Sequence, residues 1–127
     1  MLRLLFCVIF VLLTVSVNAQ SSQSKSISYI ETTSTWIRIY DESGKVYYTD
    51  SRSRFGDVVG YSSSFFIIHR GGFYVIYDAN CRSLKTMPVS NIGEILSVAG
   101  KTFTARNGSF VCTYDMNGKK LHTRTAQ

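Results

Sequence analysis

The side chains able to do chemistry in this chain are few, and their spacing does not assemble a reaction. The histidines are His69 and His122. A general base needs a carboxylate or a nucleophile beside it, and neither histidine has one in a recurring pattern. His69 closes an apolar run just before Arg70-Gly71-Gly72 and reads as a solvated strand-end residue. Cys81 and Cys112 are too far apart for a Cys-x-x-Cys or Cys/His cluster, so zinc and thioredoxin-like chemistry have no support. They are free thiols or a disulfide pair, with the free form favoured because they fall at unlike places, one in a turn and one in mid-strand. Ser62-Ser63-Ser64 reads as a polar turn, and no Gly-x-Ser-x-Gly elbow is present. The acids give no glycosidase pair.

Asp41, Asp78 and Asp115, with Ser43, Asn80 and Asn117 two places on, echo a calcium loop. Such a loop also needs a distal bidentate carboxylate, which is missing. An aspartate that opens a tight turn instead accepts hydrogen bonds from backbone amides two or more residues on. The expectation is therefore structural: Asp41, Asp78 and Asp115 stabilise turns, with Gly44 and Gly118 supplying positive φ, and no catalytic, cofactor-binding or metal residue is assigned. Asn107-Gly108-Ser109 fits a glycosylation acceptor pattern but is explained as a hairpin turn. Trp36, Tyr47 and Tyr48 offer aromatic surface for a sugar or a protein, although core or inter-sheet packing is the expectation for them.

The elements that hold these residues follow from a repeat. Tyr40-Asp41, Tyr77-Asp78 and Tyr114-Asp115 are each 37 residues apart. In the same register Trp36, Phe73 and Phe110 coincide, Gly44 and Gly118 have Cys81 between them, and Gly56-Asp57-Val58-Val59 lies over Gly93-Glu94-Ile95-Leu96. Each unit divides at glycine-bearing turns into short β-branched and aromatic runs, as in 92–98, 102–106, 110–115 and 119–125. These predict an all-β fold of tandem four-stranded antiparallel meanders, with repeats near 27–54, 55–91 and 92–127. The first lacks its opening strand, whose slot falls on the polar stretch 20–26, read as a flexible tail. The link Met87-Pro88-Val89-Ser90-Asn91 carries the chain's proline and reads as a crossing between sheets.

Trp36-Ile37-Arg38-Ile39-Tyr40, Phe65-Phe66-Ile67-Ile68 and Phe73-Tyr74-Val75-Ile76-Tyr77 place apolar groups on both strand faces. Two-sided burial favours propeller-like blades stacked face to face, with a β-trefoil as the alternative. On this reading Phe110 is core. Three blades do not close a ring, which predicts an open stack or self-association into six.

Residues 1–19, MLRLLFCVIFVLLTVSVNA, have Arg3 ahead of an apolar run and end in small-residue spacing, the pattern of a signal peptide. The run from Leu4 to Val17 is shorter than the ~20 residues of a membrane span. The exported chain keeps 13 basic and 8 acidic side chains. That balance suits acidic partners, and scattered cations with export argue against nucleic acid.

The aromatic-x-x-x-Tyr-Asp-x-Asn-Gly-Lys segment following an Asn-Gly or Gly-Gly turn, behind a leader ending Asn-Ala-Gln, resembles short exported β-repeat proteins of the Bacteroidota. The resemblance implies a periplasmic or secreted product of a Gram-negative envelope and carries no established activity. The functional expectation is a non-enzymatic module acting by protein recognition or self-association, including the inhibitor or immunity type. A glycan-binding lectin is the alternative, and such a protein should repeat its pocket side chains on the surface.

Overall fold

The computed structural model describes residues 25–126; residues 1–19, read above as a signal peptide, and most of the expected tail, 20–24, lie outside the described residues. The first unit forms β1 (Ile27–Thr32), β2 (Trp36–Asp41) and β3 (Val46–Ser51), followed by the short helix α1 (Arg52–Phe55). The second forms β4 (Asp57–Tyr61), β5 (Phe65–Arg70), β6 (Phe73–Asp78) and β7 (Ser83–Pro88), followed by α2 (Val89–Ile92). The third forms β8 (Glu94–Ala99), β9 (Thr102–Asn107), β10 (Phe110–Asp115) and β11 (Lys120–Thr125). Each unit is its own antiparallel sheet in sequence order, with three strands in the first and four in the others, and no sheet closes into a barrel.

The repeat survives in detail. A bulge interrupts the third-to-fourth strand pairing at Ile39/Tyr40, Ile76/Tyr77 and Thr113/Tyr114, one rung above each aspartate turn. The two helical links are equivalent as well. Phe55 and Ile92, 37 residues apart, turn inward from α1 and α2 and are buried, and Gly56 and Gly93 follow with φ of 115° and 86°. A Cβ at Gly56 would lie 2.7 Å from the His69 carbonyl oxygen, and one at Gly93 would run into the Arg106 carbonyl. Both links therefore need glycine for conformation and for close approach. The strand expected from 92 starts at Glu94 because Ile92 and Gly93 belong to this helical exit.

The middle sheet lies between the other two. Phe65, Ile67, Tyr74 and Ile76 form one core with Phe103, Ala105, Cys112 and Tyr114 of the third sheet. On the opposite face Phe66 and Ile68 pack with Ile30, Ile37 and Ile39 of the first. Two-sided burial thus holds in the middle sheet, where Phe65, Phe66, Ile67 and Ile68 are all fully buried. In the outer sheets one face meets solvent, and the repeat changes residue type to match. Glu31 and Arg38 stand where the second unit has Ile68 and Val75, and Thr102, Thr104 and Thr113 stand where it has Phe65, Ile67 and Ile76. Polar outer faces on terminal repeats are what a stack needs to end in water.

Candidate functional site

Strand register defines two rims. The hairpin turns at 33–35, 71–72 and 108–109 lie at the same sheet ends as α1 and α2, since Trp36 pairs with Ser51 beside α1, Phe73 with Pro88 beside α2, and Val89 N donates to the Gly72 oxygen at 2.9 Å. This is the linker rim. The aspartate turns and the turns at 62–64 and 100–101 occupy the other end.

Trp36, Phe73 and Phe110 each open the third strand of the repeat at the linker rim. They are 44%, 49% and 53% exposed. This corrects the core assignment of Phe110 and the packing expected of Trp36. Trp36 shares the solvent-facing side of the first sheet with Arg38 and Tyr40, opposite buried Ile37 and Ile39, and Phe110 ends its strand at the linker rim beside an open cleft. The repeat thus places the three rings at equivalent strand ends of the three sheets. Tyr47 and Tyr48 are instead half-buried against the core between the first two sheets.

The same rim gathers arginine. Arg52, Arg54, Arg70, Arg106 and Arg124 lie in α1 or in the last rungs of the strands that end there, whereas Lys25, Lys45, Lys101, Lys119 and Lys120 lie at the opposite end. Several of these guanidinium groups are held in place. Arg52 pairs with Asp57 at 2.9 Å and donates to the Thr33 oxygen at 3.2 Å. Arg70 Nη1 donates to the Phe55 oxygen at 3.1 Å. Asn107, the equivalent of Arg70, donates its side-chain amide to the Asn91 oxygen at 3.0 Å, so both links are tied down from the neighbouring hairpin. Fixed arginines lose less rotamer freedom when a partner binds.

Next to Phe110 a cleft of about 430 Å³ runs along β10 and β11, lined by Asn91, Asn107, Phe110, Cys112, Tyr114, Lys120 and Thr123. Between the first and second sheets Tyr48 packs on Phe55 with ring centroids 5.9 Å apart; the equivalents at the next interface are Lys85 and Ile92, which carry no ring. A second cleft, of about 350 Å³, lies at the opposite rim among Lys25, Ser63, Asn80 and Lys101.

The aspartates act on their own turns. Asp41 Oδ1 accepts from the N–H groups of Ser43 and Lys45 at 2.9 and 3.1 Å. Asp78 does the same for Asn80 and Arg82, and Asp115 for Asn117 and Lys119, all at 2.9 Å. The Ser43 hydroxyl, and then the backbone N–H of Lys45, hold the Asp41 carboxyl below its ordinary range. Gly44 and Gly118 carry φ of 83° and 84°, and Cys81 takes φ of 67° in the glycine's place. Burial pushes the Cys81 thiol up to about 12, which keeps it protonated and a poor nucleophile at neutral pH. Cys81 and Cys112 are both free.

The remaining chemistry-bearing residues are dispersed. His69 lies in the middle sheet with its ring 5.5 Å from Tyr74, opposite Asp57, whose carboxylate is engaged by Arg52. His122 is exposed on the last strand. Among the described residues no group of three His, Cys, Asp or Glu side chains is placed to hold a metal ion. Nor is any helix among them long and apolar enough to cross a membrane.

The aromatic and arginine row is what the sequence reading missed. Its signal was present in the position of each aromatic residue directly after a turn and in the placement of five arginines, and no lysine, at the linker-rim strand ends, although Arg82 lies in the Asp78 turn at the other end. No protein-family model matches the chain, and the comparison with curated proteins returned no relative.

Proposed function

We propose that the protein is an exported, non-enzymatic β-repeat module that binds another protein through its linker rim. The observation that carries this reading is the repeated, half-exposed row Trp36, Phe73 and Phe110, set among five arginines on a rim without lysine. Aromatic residues and arginine are enriched, and lysine depleted, where proteins meet. The cleft beside Phe110 offers an apolar pocket for a partner side chain, and the basic rim favours an acidic partner.

We read the three sheets as propeller-like blades, supported by their face-to-face packing and by the approach of the first strands, where a Cβ at Gly60 would lie 2.5 Å from Val98. A trefoil would require strands closing a common barrel. The outer face of the third sheet carries threonines where the middle sheet has Phe65, Ile67 and Ile76, which weakens the drive to stack a further blade there, and our reading therefore looks to the rim for recognition. A lectin reading also draws on a repeated aromatic surface. Asp57 and Asn107 are committed to the rim itself, while Asn91 lines the cleft beside Phe110 and is the amide a sugar hydroxyl would meet. The arginine-rich composition of the rim is what favours a protein partner over a glycan.

The test is comparative capture from the envelope fraction of cells that make the protein. A partner retained by the natural chain and by Lys45→Ala/Lys119→Ala, but lost from Phe73→Ala/Phe110→Ala, supports the rim. Equal retention by both variants rejects it.

A further inference from the structure

Among the described residues the first sheet lacks the strand that opens each of the others. In the second sheet β4 pairs with β5, and in the third β8 pairs with β9. The equivalent of β5 and β9 is β1, which among the described residues has β2 alone beside it. An uncovered edge presents a row of backbone N–H and C=O groups ready to pair with an extended chain.

We propose that the open edge of β1 accepts an extended strand from a protein partner, in the place that β4 and β8 take in their own sheets. The filled slots define the occupant. They hold five and six residues, Asp57–Tyr61 and Glu94–Ala99, rich in β-branched and apolar side chains. Each strand carries a bulge at the same rung, between Val58 and Gly60 or between Ile95 and Ser97. At the contact between first strands, Gly60 of β4 lies against Val98 of β8. In the empty slot the equivalent of Val98 is Tyr61, so the incoming strand must present a small residue as it passes Tyr61. Val58 and Tyr61 of β4 are the partly buried residues that pack toward the first sheet beside the slot. By the repeat, Gln20-Ser21-Ser22-Gln23-Ser24 of the chain itself aligns with β4, but it has none of the apolar or β-branched residues of β4 and β8.

The probe is a labelled synthetic peptide with the β8 sequence, Gly-Glu-Ile-Leu-Ser-Val-Ala-Gly, added to the protein purified after export. Saturable binding is expected, with slowed amide exchange in Ser28–Thr32 and none in the outer strand β11. N-methylation of alternate peptide amides should weaken binding at least about tenfold, because it removes backbone donors. A peptide that fails to bind, or that protects β3, β7 or β11 instead, overturns the proposal. Binding that emerges only in Ser22→Pro/Ser24→Pro assigns the slot to the chain's own segment, and a dimer dissociated by the peptide assigns it to a second copy; either result also overturns the proposal.

Discussion

Phe103 and Phe110 are seven residues apart in one hairpin, and the architecture assigns them opposite roles. Phe103 is 1% exposed, stacked on Tyr114 with ring centroids 5.0 Å apart and tilted against Phe65 at 6.4 Å. Truncating such a ring removes its transfer free energy and leaves a cavity, so Phe103→Ala should cost about 3–5 kcal/mol. Phe110 keeps 53% of its surface in water, so only about half of a phenylalanine's burial is lost in Phe110→Ala, about 1 kcal/mol. For a chain of this size each kcal/mol moves Tm by about 4–8 °C. The surface variant should therefore melt within about 8 °C of the natural chain, and the core variant at least about 12 °C below it. Urea unfolding followed by far-ultraviolet circular dichroism, with the slope unchanged between variants, gives both costs. Equal costs would refute the division between core and rim, and with it the reason for assigning Phe110 to binding.

The other predictions are smaller. Asp115→Ala should destabilise by about 1–2 kcal/mol in the same assay, since two turn amides lose their acceptor. Gly93→Ala should cost more than about 2 kcal/mol and Gly108→Ala only about 1 kcal/mol; both have positive φ, but a Cβ meets backbone only at Gly93. Asp41 has its pKa lowered in the fold from 3.8, so its contribution is present above that value and is lost as pH falls through the folded pKa. Acid titration of Asp41→Asn should accordingly show a shallower loss of stability below about pH 4 than the natural chain. Cys81, raised from 9.0 to about 12 by burial, contributes stability below pH 9 that is lost as pH rises toward 12. Its thiol should resist iodoacetamide at pH 8 in the native protein and react readily in denaturant.

Much of the architecture was legible because a repeat constrains every unit at once. The Tyr-Asp spacing set the hairpins, whereas the alignment of Gly56 with Gly93 was read as part of a strand, and only the helical exits of α1 and α2 show why both positions are glycine. Burial was less legible at the ends of the pattern. Trp36, Phe73 and Phe110 carry the same composition signal as Ile37, Tyr74 and Val111, yet each begins its strand at the sheet margin, where solvent reaches the ring. The change from Ile68 and Val75 to Glu31 and Arg38 was written in the sequence, but its meaning depends on knowing which sheets are terminal. The aromatic contact of Tyr48 with Phe55 is likewise absent at the equivalents Lys85 and Ile92, a difference that matters only once those positions are seen to face a neighbouring sheet.

The measurement that bears most directly on rim recognition is site-specific photo-crosslinking in the cells that make the protein. A photoreactive phenylalanine analogue is placed at Phe73 on the linker rim and, in a separate chain, at Lys119 on the opposite rim. The account predicts a discrete protein adduct from position 73 and none from position 119. An adduct from position 119 alone would contradict it.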